Sequence, residues 1–186
     1  MKKVPTIFER DWEGNRSLVL DRPNPDARWV FDGEGVATEK VDGTSCLIRD
    51  GKLYKRYQFK PGRTAPPDFE ASEDPDPITE EQTGWVPVGD GPEDKYHREA
   101  FAIKPSAWPN ATYELIGPKV QGNPYELESH WLVRHDSRTL TDSIPLTFEG
   151  IRDFLDSVNM EGIVWHHPDG RMAKIKRRDF NLAWPV

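Results

Sequence analysis

The chain has 186 residues, a net charge of −7 and a mean hydropathy of −0.77, which is polar but compatible with a folded core. The negative net charge does not favour electrostatic attraction of nucleic acid to the protein as a whole, so nucleic-acid binding needs a local basic patch. A single cysteine, Cys46, excludes a disulfide framework. No apolar run could span a membrane and no signal-peptide core is present, so we expect a cytoplasmic protein.

Taken in order, the chain predicts many short strands and few helices, because its 17 prolines and 14 glycines recur throughout. Asp50-Gly51, between two β-forming runs, indicates a hairpin. Apolar residues on one helical face, with Thr147 as N-cap, predict a helix over 147–158, and a shorter helix is expected over 93–103. Strands are predicted near residues 7–8, 18–20, 36–39, 44–48, 53–57, 111–117, 130–133, 161–165 and 172–176.

Residues 60–91 form the longest stretch without a regular pattern, and proline and acidic residues are frequent in it. Long stretches of this kind are usually functional lids or disordered segments, so we treat this one as a candidate lid. Neither flank looks able to fold alone. We therefore expect a single domain over residues 1–186.

The stretch Glu39-Lys40-Val41-Asp42-Gly43 has the most chemical content. A lysine has an ordinary pKa of about 10.4, so at neutral pH its amine is protonated and a poor nucleophile. It becomes reactive only when it is desolvated or placed among other cations. Taken alone, the stretch is far more often a hairpin turn with an exposed lysine, since short motifs are weak signals.

Charged residues further along the chain strengthen the chemical interpretation. Glu114 lies at the centre of a predicted strand, where a carboxylate is unusual. Lys174 and Lys176 share one face of the last predicted strand, because side chains alternate with a period of two. Taken in order, these pieces resemble the covalent nucleotidyltransferases, which include ATP-dependent RNA and DNA ligases and mRNA capping enzymes. The motifs that carry the resemblance are Lys40-Val41-Asp42-Gly43, Tyr113-Glu114-Leu115-Ile116-Gly117, Glu161-Gly162-Ile163-Val164 and Lys174-Ile175-Lys176.

The resemblance covers residues 36 to 180 approximately and favours the RNA ligase branch. Glu39 before the lysine and Gly43-Thr44-Ser45 after it are similar to that branch, whereas DNA ligases usually carry an arginine where this chain has Ser45. Residues 85–90 and 117–125 further resemble the compact cellular 5′-3′ RNA ligases. A DNA ligase core, a capping guanylyltransferase core and a binding module without activity remain the alternatives.

The resemblance implies an α+β, ATP-grasp-like nucleotidyltransferase core, with two antiparallel sheets flanking a nucleotide cleft and helices outside. It also implies an ATP-dependent RNA ligase with Mg²⁺ or Mn²⁺ as its metal. Such an enzyme forms lysyl-AMP at Lys40, adenylates an RNA 5′-phosphate and seals it to a 3′-hydroxyl. RNA with those ends is the expected partner, no protein partner is evident, and we expect no C-terminal OB domain.

The family pattern also implies a role for each motif residue. Lys174 and Lys176 would lie over the α-phosphate, stabilise its developing charge and favour the free amine of Lys40. Glu161 is the first-choice metal ligand. Glu114 would accept from the ribose and Glu39 from the adenine amino group. The remaining candidates are Val41 and Arg56 at the nucleotide, His130 or Trp131 over the adenine face, and Arg56, Arg177 and Arg178 on RNA.

One further expectation concerns the tryptophans. The chain contains seven of them, and most are expected to be core or loop anchors. An exposed tryptophan near Arg177 would be suited to stack on a base, because every nucleobase offers a π-face to an aromatic ring.

Overall fold

The structure is a computed structural model that describes residues 4–77, 79–104, 108–141 and 143–185. Strands dominate, and the described helices are α1 (Arg28–Phe31), α2 (Lys95–Ala102) and α3 (Phe148–Ser157). The strands are β1 (Phe8–Arg10), β2 (Val19–Pro23), β3 (Val36–Glu39), β4 (Thr44–Arg49), β5 (Lys52–Phe59), β6 (Glu70–Ala71), β7 (Gln82–Pro87), β8 (Ala111–Ile116), β9 (Trp131–Arg134), β10 (Gly162–His166) and β11 (Met172–Lys176).

The chain divides into two compact units. The first unit is Asp42–Arg134, and the second combines residues 4–41 with residues 135–185. Each unit has its own sheet and its own hydrophobic core. The expectation of one domain over residues 1–186 stays a prediction.

The first unit is a six-stranded antiparallel sheet in the order β6-β7-β5-β4-β8-β9. One face of this sheet packs against helix α2, which buries Ala100 completely. Side chains alternate along each strand, so every second residue points to this core and the residues between them point to the opposite face. The core face contributes Cys46, Ile48, Leu53, Tyr113, Leu115 and Leu132.

The second unit contains a three-stranded antiparallel sheet in the order β11-β10-β3 and the two-stranded ribbon β1-β2. Ile163 and Ile175 from the three-stranded sheet pack with Ile151 and Leu155 of helix α3. The N-terminus of α3 is capped by Thr147, whose hydroxyl accepts a hydrogen bond from the Gly150 amide at 3.1 Å. The α+β class with antiparallel sheets is therefore confirmed.

The structure differs from the predicted elements in residues 60–91. This stretch contains the short strand β6 and the six-residue strand β7, which pairs with β5 along its whole length. The expectation that it lacks regular structure is wrong for its second half. Gly84 and Pro87 interrupt the β-forming pattern there, so local sequence gives little indication of the strand.

The second difference concerns Asp42-Gly43. No hairpin turn forms there, because β3 and β4 belong to different sheets. Gly43 is required for another reason: a Cβ at this position would collide with the carbonyl oxygen of Leu115. The Tyr125 hydroxyl accepts a hydrogen bond from the Asp42 amide at 2.7 Å and braces this passage.

Candidate active site

The three-stranded sheet of the second unit gathers three lysines on one face. Lys176 lies opposite Gly162, and Lys174 lies opposite Val164. The Lys40 amide donates to the Gly162 carbonyl at 2.8 Å, so Lys40 continues the same row across the sheet. The alternate residues of these strands face the core, which leaves the face with the lysines free of apolar side chains from α3.

The carboxylate of Glu161 contacts two of the three lysines, Lys40 and Lys176. Its Oε2 lies 2.5 Å from Lys40 Nζ, and its Oε1 lies 2.8 Å from Lys176 Nζ. Arg178 Nη2 approaches the same Oε1 at 3.8 Å. Glu161 is only 4% exposed, so the carboxylate is a buried anion held by cations on two strands.

Gly162 keeps the row between Lys40 and Lys176 open, because it has no side chain. A Cβ there would collide with the Ile175 carbonyl oxygen. The glycine therefore serves close packing of neighbouring strands, and it also leaves room between the two lysines.

The electrostatics of this lysine cluster (Lys40, Lys174, Lys176 and Glu161) favour the uncharged amine at Lys174 and at Lys176. Burial lowers the pKa of Lys174 to about 8, and the neighbouring Lys176 and Lys40 add to the shift. Burial and Lys40 also lower the pKa of Lys176. Burial would raise the pKa of Glu161, but Lys40 and Lys176 outweigh it and hold that pKa below its ordinary value.

The two arginines after β11 have different surroundings. Arg178 has a side chain that is 69% exposed, so it can meet a ligand. Arg177 is buried and donates to the carbonyls of Leu155, Val158 and Ala183 around the end of α3. Its donors satisfy backbone carbonyls inside the fold, which argues against the predicted contact of Arg177 with RNA.

Glu39 and Val41 flank the central lysine. The Glu39 carboxylate accepts from Arg138 Nη1 at 2.8 Å, and its amide donates to the Arg138 carbonyl at 2.9 Å. Val41 is 5% exposed and packs as an apolar residue. The expected contacts of both residues with a nucleotide stay predictions.

Three predicted residues of the first unit share the sheet face opposite to its core. Glu114 pairs with Ser45 on β4 and with Val133 on β9, and Trp131 lies two residues before Val133 on the same face. Arg56 continues this row, since the residue before it, Lys55, lies opposite Cys46. Trp131 is 42% exposed, and Arg56 makes no ion pair within the described part of the chain.

His130 is placed differently from Trp131. It is buried, its ring stacks on Tyr96 with a centroid distance of 4.4 Å, and its Nδ1 lies 2.9 Å from Glu99 Oε2. One ring face is therefore already covered. This environment argues against the prediction that His130 covers adenine and leaves Trp131 as the accessible aromatic of the pair.

No group of three His, Cys, Asp or Glu side chains within the described residues could hold a metal ion. The expected role of Glu161 as ligand of a divalent cation stays a prediction. Mg²⁺ commonly uses one or two protein carboxylates together with substrate phosphates and water, so a single buried glutamate fits this pattern.

None of the described helices is both long and apolar enough to cross a lipid bilayer.

Sequence reasoning missed three residues that support the site. Arg138 pairs with Glu39, Tyr125 holds the Asp42 amide, and the Asp179 carboxylate accepts from the Lys176 amide at 2.9 Å. An acidic residue three positions after Lys176 could have indicated Asp179, because it can cap the turn that follows the strand. The other two contacts join distant parts of the sequence and leave no local signal.

The α+β fold and the lysine cluster place the chain in the class that its motifs resemble, the covalent nucleotidyltransferases. Comparison with known families gives a more specific result. The model of the RNA ligase 1 family matches residues 90–186, which is more than half of the chain. The chain therefore belongs to the RNA ligase 1 family.

Curated relatives agree with this assignment at modest identity. The chain is 28% identical to RNA ligase 1 of Danio rerio, 27% identical to that of Mus musculus and 29% identical to that of Rattus norvegicus. In each comparison the alignment covers 100% of this chain and 82% of the relative.

Proposed function

We propose that this protein is an ATP-dependent RNA ligase that works in three steps. The Lys40 amine attacks the α-phosphorus of ATP, a P–N bond forms and pyrophosphate leaves. The 5′-phosphate of an RNA strand then attacks the lysyl-AMP, so that AMP moves from nitrogen to phosphate oxygen. Finally a 3′-hydroxyl attacks the RNA 5′-phosphorus, and AMP leaves as the phosphodiester forms.

The observation that carries the proposal is the lysine cluster on one sheet face of the second unit. Two further lysines lie beside Lys40. Lys176 pairs with the same carboxylate, that of Glu161, and Lys174 is largely buried next to them. Preorganised cations stabilise the charge that develops on a phosphoryl group, and they do so strongly where water is excluded. They also disfavour a third positive charge nearby. A lysine nucleophile must be uncharged, so such surroundings suit it.

Glu161 is ion-paired with Lys40 in the resting arrangement. Lys40 can attack only after it loses its proton and leaves this contact. Glu161 would also be the protein ligand of Mg²⁺ or Mn²⁺. When bound, the metal supplies positive charge that neutralises the phosphates.

Trp131 and Glu114 keep the nucleoside roles that the family pattern implies. The accessible indole of Trp131 would cover the adenine, and Glu114 would accept from the ribose hydroxyls. Ser45 lies opposite Glu114, and its buried hydroxyl has no hydrogen-bond partner within the described residues. Ser45 stands where DNA ligases usually carry an arginine, which fits the RNA ligase branch. Arg56 would bind a phosphate or the RNA end, and Glu39 remains the proposed acceptor for the adenine amino group.

The experiment is a labelling assay on the full chain with Mg²⁺ and α-labelled ATP or GTP, followed by a denaturing gel. We expect acid-labile label from ATP on the wild type and none on Lys40→Ala. Lys104→Ala, an exposed lysine of the first unit, should label like the wild type. The charged enzyme should then adenylate 5′-phosphorylated RNA and join it to a 3′-hydroxyl end.

Other results would assign the chain differently. Label from GTP alone would identify a capping guanylyltransferase, and joining of DNA in preference to RNA would identify a DNA ligase. If neither nucleotide labels the protein, the chain is a binding module and the proposed reaction is refuted.

A further inference from the structure

Trp12 is an unusual surface residue. Its side chain is 67% exposed, a larger fraction than for any other exposed large hydrophobic residue in the described part of the chain. An indole has a large apolar area, and leaving it in water forgoes the free energy of burial. A single exposed apolar residue needs no explanation by itself, so the surroundings decide whether Trp12 has a role.

The loop between β1 and β2 holds Trp12 in a defined position. The Asp11 carboxylate accepts hydrogen bonds from the amides of Gly14 at 2.8 Å and Asn15 at 3.0 Å. The Asp11 amide donates to the Leu18 carbonyl at 3.1 Å and closes the loop. A Cβ on Gly14 would collide with the Asp11 carboxylate. The indole is thus displayed on an ordered turn, which lowers the entropic cost of binding.

This loop is tied to the segment that follows the lysine cluster. Arg10 donates to the Ser17 carbonyl at 3.0 Å and pairs with Asp179 Oδ1 at 2.8 Å. Asp179 is buried, and its other carboxylate oxygen accepts from the Lys176 amide at 2.9 Å. All of these residues belong to the second unit. Trp12 is therefore connected through one ion pair to the strand end that carries Lys176.

The charges around Trp12 indicate what kind of ligand it fits. Arg10 is neutralised by Asp179, and Asp11 is occupied by backbone amides. Glu13 and Arg16 are exposed on the same loop and carry opposite charges. A loop of mixed charge offers no strong attraction to a phosphate backbone, so binding there depends on the indole face. A flat aromatic partner, such as a nucleobase, is the ligand that such a face selects.

We propose that Trp12 stacks on a nucleobase of the RNA strand, near the end that reacts at the lysine cluster. This inference depends on the proposed RNA ligase function. It assigns to Trp12 the base-stacking role that the sequence suggested for an exposed tryptophan near Arg177. Trp12 is a binding residue for RNA, and it takes no part in the attack of Lys40 on ATP.

The test uses enzyme charged with AMP and mixed with increasing concentrations of 5′-phosphorylated RNA. For Trp12→Ala, we expect the RNA concentration at half-maximal AMP transfer to rise roughly tenfold, the size of one lost base stack. Trp12→Tyr keeps an aromatic face and should stay within about twofold of the wild type. Val36→Ser removes another exposed apolar side chain of the second unit and should behave like the wild type.

A second arm separates stacking from a structural effect. With RNA that carries abasic nucleotides at the terminal positions, wild type and Trp12→Ala should show the same dependence on RNA concentration. The tenfold difference should also be equal at low and high salt, because stacking involves no phosphate charge. A wild-type response from Trp12→Ala, or a defect that persists on abasic RNA, would overturn the proposal.

Failure of the proposed function would be recognised separately. If the wild type does not form lysyl-AMP, binding of the 5′-phosphorylated RNA, now labelled with a fluorophore, is measured directly by fluorescence anisotropy. Weaker binding by Trp12→Ala than by the wild type would then support the stacking site, and equal binding would reject it.

Discussion

Each of the two units contains a lysine that is paired with a buried carboxylate, and the two pairs have similar burial. In the second unit, the Lys40 side chain is 19% exposed and that of Glu161 is 5% exposed. In the first unit, Lys55 is 21% exposed and its partner Asp94 is 3% exposed. Burial therefore does not distinguish the two pairs, and the difference must lie in the surrounding charges.

The surroundings of Asp94 balance its charge. Besides Lys55, the carboxylate accepts from the Gly89 amide at 2.8 Å. His97 lies nearby, and burial lowers its pKa and favours the neutral ring. Burial would raise the pKa of Asp94, but Lys55 and the Gly89 amide outweigh it and lower that pKa. One cation and one anion with a backbone donor form a stable structural pair.

The surroundings of Glu161 leave an excess of positive charge, because Lys174, Lys176 and Arg178 lie around the Lys40–Glu161 pair. An excess of buried cations costs stability and invites an anion, whereas a balanced pair does neither. A buried lysine–carboxylate pair is therefore no functional signal by itself. The uncompensated charge around it is the informative feature.

The largest expected effect tests the excess charge directly. Lys176→Ala removes one cation from the lysine cluster and should slow lysyl-AMP formation by about 100- to 1000-fold, the usual cost of losing one donor at a developing anion. The rate is measured with labelled ATP under single-turnover conditions. Lys55→Met should label at the wild-type rate per folded molecule. A near-normal rate for Lys176→Ala would show that the two pairs do not differ in function.

The next effect concerns the balanced pair. Asp94→Asn leaves Lys55 without its counter-ion and should lower the free energy of unfolding by about 3 kcal/mol, because breaking a buried pair exposes the remaining charge to an apolar environment. Urea denaturation followed by tryptophan fluorescence measures this loss. Glu149→Gln breaks an exposed pair with Arg152 and should change stability by no more than about 0.5 kcal/mol. Equal losses in both variants would contradict a structural role for Asp94.

The smallest effect on stability has the opposite sign. Lys174→Met removes a buried cation, so the free energy of unfolding at pH 7 should increase by about 2 kcal/mol while adenylation is lost. The pKa of Lys174 is about 8 in the fold and 10.5 ordinarily, so the unfolded chain binds more protons between these values. Wild-type stability should therefore rise with pH across that window.

The control for this prediction is the pH dependence itself. The advantage of Lys174→Met over the wild type should shrink between pH 8 and pH 10.5, where the wild-type amine becomes neutral in the fold. Urea denaturation of both proteins at pH 7 and again near pH 10.5 measures the stability difference at each pH. A constant difference across this range would mean that Lys174 is not held as an uncompensated cation.

The local elements and the motif spacing could be predicted from the sequence, because short-range rules determine them. Asp50-Gly51 forms the predicted hairpin with φ values of 51° and 71°, the left-handed values that favour such residues. Thr147 caps the predicted helix, and alternation places Lys174 and Lys176 on one face. The resemblance to ligase motifs identified Lys40 and Glu161, which the fold brings into contact.

Only the tertiary structure decided which of the candidate residues are accessible. Arg177 and Arg178 are neighbours in sequence, but packing buries one among backbone carbonyls and exposes the other. The same holds for His130 and Trp131, and for Trp12, whose exposure no local pattern indicates. Gly43 matched a turn signal but serves a close approach between strands. Turns and helix caps depend on neighbours in sequence, whereas burial depends on contacts between residues far apart in the chain.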